Sequence, residues 1–130
     1  MTGLSKITDK ILDEAKKDAE ARLAEADAEC ARMKESFRKR RDIACSLLSE
    51  IPGITFVRPT GAFYIFADIS SFGMSSTEFC DQLMEKAHIA AAPGCGFGAD
   101  KFVRFSYACS EETLYKAFAS LKAFCATLAK

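Results

Sequence analysis

The chain has 130 residues, 49% of them hydrophobic, enough for one globular domain with an ordinary core. Lys plus Arg and Asp plus Glu both number 18, so no overall field draws it to nucleic acid or to an anionic membrane. No stretch is long and apolar enough to span a bilayer.

Charge is concentrated at the start, where residues 1–42 hold 11 basic and 10 acidic side chains. After Gly3 there is neither proline nor glycine until Pro52, and Ala, Glu, Lys, Asp, Arg and Leu dominate, which predicts a long helix on propensity. Leu4, Ile7, Ile11, Ala15 and Ala19 recur at helical spacing; beyond them the stripe is mostly alanine and every other face is charged. A helix this polar either lies in solvent or pairs with another helix, with alanine in the seam allowing close approach. The basic run Arg38 to Arg41 has Glu35 and Asp42 beside it and no aromatic platform after it, so it reads as a solvated helical face and not as a nucleic-acid patch.

From Ile43 onward the apolar residues organise a compact domain. Ile43, Leu47 and Leu48 give the helix a buried stripe, and Pro52-Gly53 stops it. Ile54 to Val57 reads as a strand, and Arg58-Pro59-Thr60-Gly61 places proline and glycine at the second and fourth positions of a type I turn. Ala62 to Ala67 is its antiparallel partner, apolar on both faces and therefore expected as a central, covered strand. Ser75-Ser76-Thr77-Glu78 is a capping box, followed on one helical face by Phe79, Cys80, Leu83, Met84 and Ala87. His88 to Ala91 is expected as a short strand leading into Pro93-Gly94, and residues 101–107 form the next strand. Ser110 caps a last helix, with Glu111 and Glu112 against its dipole and Leu114, Ala117, Phe118, Leu121, Cys125 and Leu128 as its buried stripe. The expected fold class is α+β: a long N-terminal helix, then a two-layer domain with a mainly antiparallel sheet and helices on one face.

The six cysteines contain no C-x-x-C pair, and His88 is the sole histidine, so the spacing offers no zinc site. Cys80 and Cys125 fall on apolar stripes, where a free thiol serves as a small hydrophobe. Reduced cysteines without a signal peptide lead to the expectation of a cytoplasmic chain.

Chemistry concentrates in Lys101-Phe102-Val103-Arg104-Phe105-Ser106-Tyr107 and the glycine-rich run before it, Pro93-Gly94-Cys95-Gly96-Phe97-Gly98. Along the strand Val103, Phe105 and Tyr107 point to one face and Phe102, Arg104 and Ser106 to the other. If helices cover the first face, Arg104 looks out of the second, where a planar guanidinium holds a carboxylate through two parallel hydrogen bonds. Taken alone, Arg104 reads rather as an arginine of a half-exposed sheet, paired with a nearby acid or with water, and only the set of spaced motifs around it reverses that preference. The glycine run lacks the Lys-Ser/Thr of a P-loop and is not expected to open a helix, so it reads as a tight loop and not as a phosphate cradle.

Together with Ile51-Pro52-Gly53-Ile54 and Pro59-Thr60-Gly61-Ala62-Phe63-Tyr64, these two segments resemble the C-terminal small domain of class I/II aminotransferases, the fold-type-I pyridoxal-phosphate enzymes. Met33 to Ile43 resembles the helix that connects the large and small domains of that family. The resemblance implies a small domain over residues 33–130, pyridoxal phosphate as cofactor, and Arg104 as the residue that binds the α-carboxylate of an amino acid or 2-oxo acid. It also implies a lysine that carries the cofactor. None of the eleven lysines lies in a segment resembling that motif, and 130 residues are too few for a whole enzyme of the family, so the chain is expected to be inactive alone. No catalytic residue, cofactor-binding residue or metal ligand is assigned. Met1 to Ala15, continuing to about Cys30, resembles the N-terminal helix of a peripheral-stalk protein of V/A-type rotary ATPases, which implies a helix partner for residues 1–30 of a charged segment 1–32. A third expectation is an open reading frame that joins two genes near Cys30. A small domain lacking its large partner also leaves apolar surface uncovered, so self-association is expected.

Overall fold

A computed structural model describes residues 2–128. The chain divides into two compact units, Met1–Ser36 and Phe37–Lys130, with the division falling inside the first helix, α1 (Gly3–Ser49). Thr2 opens α1, its Oγ1 accepting a hydrogen bond from the Ser5 N–H at 3.2 Å. None of the described residues of the first unit is buried: Leu4, Ile7, Ile11, Leu12 and Leu23 all stand more than half exposed. Ion pairs one turn apart, Lys17 with Asp13 and Arg22 with Asp18, each at 3.2 Å, support the helix by a few tenths of a kcal/mol each, about 0.3–0.5 by measured precedent.

The second unit holds the core. After α1 come β1 (Thr55–Phe56), β2 (Tyr64–Asp68), α2 (Ser76–Ala87), β3 (Ala92–Pro93), β4 (Phe102–Ser106) and α3 (Glu111–Leu128). The strands form one sheet in the order β1-β2-β4-β3, and every neighbouring pair is antiparallel. The α+β class, with a long first helix and an antiparallel sheet, is therefore as the sequence predicts. Ile65, Ala67, Val103, Phe105 and Tyr107 turn inward, where they join Ala44, Cys45 and Leu48 of α1, Phe79, Cys80 and Leu83 of α2, and Leu114, Phe118, Leu121, Phe124 and Cys125 of α3. Phe79 is the hub, its ring 5.5 Å from Phe124 and 5.7 Å from Phe72. Both caps form: Ser75 Oγ accepts from the Glu78 N–H at 3.2 Å, and Ser110 Oγ from the Thr113 N–H at 3.1 Å.

Several expectations are corrected in detail. The first strand spans only Thr55–Phe56, and its register pairs Thr55 with Asp68 at the far end of β2, which leaves a wide loop where a type I turn was expected. Two contacts hold that loop open: Arg58 pairs with Asp42, and Tyr107 Oη donates to the Ala62 carbonyl at 2.9 Å, with Ala62 at φ 61°. The strand β2 is central but covered on one side only, since Tyr64 is exposed and Phe66 half-buried on the other. His88 is not in a strand; it ends α2 in the left-handed conformation at φ 56°, and the strand begins at Ala92. Arg40 and Arg41 are half-buried, Arg40 lying 4.6 Å over the Phe37 ring, so the basic run is not simply solvated. On α2 Met84 faces out, and on α3 Phe124 is a core residue that the predicted stripe omits.

Phe79→Ala removes a fully buried ring from the meeting point of α2, α3 and the turn at Phe72. It is expected to cost about 3–5 kcal/mol in urea denaturation, and a loss below about 1 kcal/mol would show that the hub repacks.

Candidate functional site

The site is built on the sheet face away from the helices. Register places Arg104 opposite Phe66 on one side and Ala92 on the other. The guanidinium, half-buried, has its carbon 5.2 Å from the centre of the Tyr64 ring and 5.1 Å from that of Phe97. Each such contact is worth about 0.5–1 kcal/mol at an exposed site. Phe66 stacks on Phe102 at 5.0 Å and meets Phe97 edge-on at 6.1 Å, so the cation sits against a continuous aromatic floor. Among the described residues, no carboxylate pairs with Arg104. Such a group is a planar donor fork in a low-polarity frame, suited to a carboxylate approaching from the open side.

Phe97 reaches the guanidinium because of the glycine-rich loop. Within the expected tight loop Gly94 to Phe97 make one turn of 3-10 helix, and Gly98 closes it at φ 79°. The Ala99 N–H donates to the Gly94 carbonyl at 2.9 Å. A Cβ at Gly94 would lie 2.2 Å from the Ala99 carbonyl oxygen and 2.3 Å from that of Phe102, so no other residue fits.

A buried knot ties this turn to the start of α2. Ser76, with no exposed surface, donates from Oγ to Asp100 Oδ1 at 3.0 Å and accepts from the Cys95 N–H at 3.1 Å. The Ser76 N–H also reaches Asp100, at 2.8 Å to its carbonyl and 3.2 Å to its carboxylate. Thr77 Oγ1 lies 3.4 Å from Cys95 Sγ, and this hydrogen bond, then that of Ser76, holds the exposed Cys95 thiol below its ordinary pKa. Burial does the opposite elsewhere, pushing Cys80 up to about 11 and Cys125 up to about 12.

The sequence singled out Arg104 and the loop. Tyr64, Phe97 and the Ser76–Asp100 knot it missed, because they depend on strand register and on a contact between residues 24 apart.

Comparisons with known proteins follow the same geometry. The sequence profile of the family described as aminotransferase class I and II matches residues 2–121. The chain belongs to this family. A probable aspartate/prephenate aminotransferase of Aquifex aeolicus is 44% identical over 93 residues, which are 69% of this chain and 24% of that protein. An aspartate aminotransferase of Pyrococcus horikoshii is 45% identical over 87 residues, 65% of this chain and 22% of its own length. Among solved structures, the aspartate aminotransferase of Rhizobium meliloti superposes with a TM-score of 0.68 at 37% identity, over 71% of this chain and 26% of that one. The chain thus spans about a quarter of the length of the relatives it matches. The aminotransferase profile begins at residue 2 and runs through the segment that resembles a stalk helix, and neither that resemblance nor a junction of two genes finds support in these matches. Membership of the family implies dependence on pyridoxal phosphate. No helix among the described residues is long and apolar enough to cross a membrane.

Gly94→Ala is expected to destabilise the second unit by on the order of 3 kcal/mol in chemical denaturation, because both blocking atoms are backbone; a cost below about 1 kcal/mol would mean the turn relaxes freely. Thiolates react and thiols do not, so at about pH 8 Cys95 should be alkylated by iodoacetamide well before Cys80 or Cys125. Peptide mass spectrometry against time measures this, and equal rates for the three would contradict the hydrogen bonds drawn to Cys95.

Proposed function

We propose that residues 33–130 act as the C-terminal small domain of a pyridoxal-phosphate-dependent aminotransferase, and that Arg104 holds the α-carboxylate of the amino acid or 2-oxo acid. The observation that carries this reading is the guanidinium itself, set between Tyr64 and Phe97 on the open side of the sheet with no acid of its own among the described residues. Apolar rings around a charge lower the local dielectric, which strengthens a bidentate pair with an arriving carboxylate.

The residues present do not fit the cofactor's anchor. Among the described residues no strand contains a lysine, and the described lysines of the second unit turn to other partners: Lys39 to Glu111, Lys86 to Gln82, Lys101 to the Met74 carbonyl, Lys116 to Glu112 and Lys122 to Glu50. We therefore assign the anchoring lysine to the part of the enzyme that this chain does not span. Arg104 binds and orients; it moves no proton and forms no bond. The open aromatic face is where the remainder of the enzyme sits, and without it the exposed rings favour association between chains. The free, buried thiols of Cys45, Cys80 and Cys125 suit a reducing compartment such as the cytosol.

Two measurements test the reading. In NMR titration with benzoate the Arg104 side-chain N–H signals should shift saturably, and Arg104→Lys should weaken binding by about two- to fivefold, since the exposed pair is worth about 1 kcal/mol or less and a point charge cannot replace the fork. No shift at Arg104 would sink the carboxylate assignment. The purified chain with pyridoxal phosphate should show no change in cofactor absorbance that depends on amino acid; saturable turnover abolished by Arg104→Ala would show that the chain carries its own chemistry.

A further inference from the structure

Two of the six free cysteines come together where the glycine-rich turn meets α2. Cys95 follows Gly94, where an added Cβ would strike the backbone of Ala99 and Phe102, and its N–H donates to Ser76 Oγ at 3.1 Å. Its sulfur lies 3.4 Å from Thr77 Oγ1. Cys95 is therefore held over the first turn of α2. Cys80 is the next residue along that face: it follows Ser76 by four positions and Thr77 by three, which makes it a neighbour of both on the helix surface. Helical side chains lean toward the N-terminus of their helix, so the Cys80 thiol is directed at the turn that carries Cys95. The two sulfurs are near enough to interact, for Cys95 is among the groups, after burial and the Asp81 carboxylate, that push the Cys80 thiol up.

These thiols are unlike. Cys95 is exposed, and the hydrogen bonds of Thr77 and then Ser76 hold it below the ordinary cysteine range. Cys80 is only 8% exposed and is pushed up to about 11, so at neutral pH it stays a protonated thiol. An exposed thiolate meets solutes and reacts with them, whereas a buried thiol does not. A buried thiol can still attack a sulfur that lies beside it, because that step needs no access to solvent.

We infer that Cys95 and Cys80 form a peroxide-sensitive pair, in which Cys95 is oxidised first and Cys80 resolves it to an intramolecular disulfide. The oxidant is a hydroperoxide. In the first step the Cys95 sulfur attacks the terminal peroxide oxygen; an S–O bond forms, the O–O bond breaks, and the leaving oxygen takes up a proton and departs as an alcohol, or as water from hydrogen peroxide. The sulfur is oxidised to a sulfenic acid and the peroxide is reduced. In the second step Cys95 rotates about χ1 away from Thr77, the Cys80 thiol gives up its proton, and its sulfur attacks that of Cys95. An S–S bond forms, the S–O bond breaks, and the hydroxyl leaves with the proton as water. Two thiols and one hydroperoxide thus give one disulfide, one water and one alcohol, and an added dithiol reverses the link by exchange. Because Cys80 is held protonated, the second step is the slower one and the sulfenic acid persists long enough to be trapped. The bond would tie α2 to the turn that ends in Phe97, the ring beside Arg104. It depends on neither the carboxylate site nor a cofactor, and failure of that assignment would leave it standing.

The test uses the full, reduced chain, diluted to suppress links between molecules and exposed to a small excess of hydrogen peroxide with or without dimedone, which traps sulfenic acids. Samples quenched with iodoacetamide and digested without reduction are read by mass spectrometry against time. With dimedone, the adduct should appear on Cys95 ahead of Cys30 and Cys109. Without it, a peptide joining Cys80 to Cys95 should grow as the sulfenic acid decays, and dithiothreitol should remove it. Cys95→Ser, at an exposed position where folding is not at stake, should reduce both signals to background. Cys80→Ala should abolish the link while leaving the Cys95 adduct at or above its wild-type level, with circular dichroism checking that the core has kept its fold. Should that variant unfold, the wild-type time course and Cys95→Ser still decide. Conversion of Cys95 to the sulfinic acid with no link to Cys80, a link from Cys95 to Cys30 or Cys109 in its place, or equal dimedone labelling of Cys30, Cys95 and Cys109 would each overturn the pair.

Discussion

Pairing of β2 with β4 is the interaction on which the second unit depends. Five residue pairs, from Tyr64 with Ser106 to Asp68 with Phe102, set which side chains of both central strands face the helices. Because successive strand residues alternate sides, a one-residue slip of β4 against β2 would bring Arg104 under the helices and put Val103 and Phe105 in solvent. Burying an unpaired guanidinium costs several kcal/mol, so core and site enforce one register together. Tyr107 extends the lock beyond the strand: its N–H donates to the Phe63 carbonyl at 2.8 Å and its hydroxyl to Ala62, whose left-handed backbone is maintained by that contact.

The second constraint is steric. Gly94 lets the backbones of residues 94, 99 and 102 approach within a distance that excludes any side chain, and the Ser76 hydroxyl, buried and satisfied on both sides, fastens the resulting turn to α2. Phe97 ends that turn. The ring that flanks the Arg104 guanidinium is thus positioned by a glycine and a serine that never touch it, and the loop gains from packing the rigidity that its composition would deny it.

What the sequence disclosed follows the physics of each level. Alternation along Phe102 to Tyr107 identified which face Arg104 occupies, because strand geometry alone determines it. Caps at Ser75 and Ser110 were legible because their donors lie three residues away. The wide β1–β2 loop was not, since its shape is decided by Arg58 reaching Asp42, sixteen residues back, and by Tyr107, forty-five residues on from Ala62. His88 was misread for a related reason: an apolar run after a helix resembles a strand, whereas helix termination with φ 56° depends on backbone bonds to Leu83 and Met84. The aromatic pair around Arg104 required two registers and one turn at once, which no local pattern encodes.

That pair also bears on how much of a binding site this face is by itself. A half-exposed guanidinium gives up only part of its hydration to meet a carboxylate, and exposed ion pairs of that kind gain about 1 kcal/mol or less. Covering the same face removes water from both partners' surroundings and lowers the effective dielectric, so the interaction grows severalfold even as the rings of Tyr64, Phe66, Phe97 and Phe102 are buried. On the proposed reading of Arg104, affinity for a carboxylate and affinity for a part that covers the sheet would therefore be linked: each would remove water that otherwise weakens the other. An arginine framed by aromatic rings and, among the described residues, without an internal acid is the arrangement that would make such a linkage large, because an internal carboxylate would already have neutralised the charge offered to the proposed ligand.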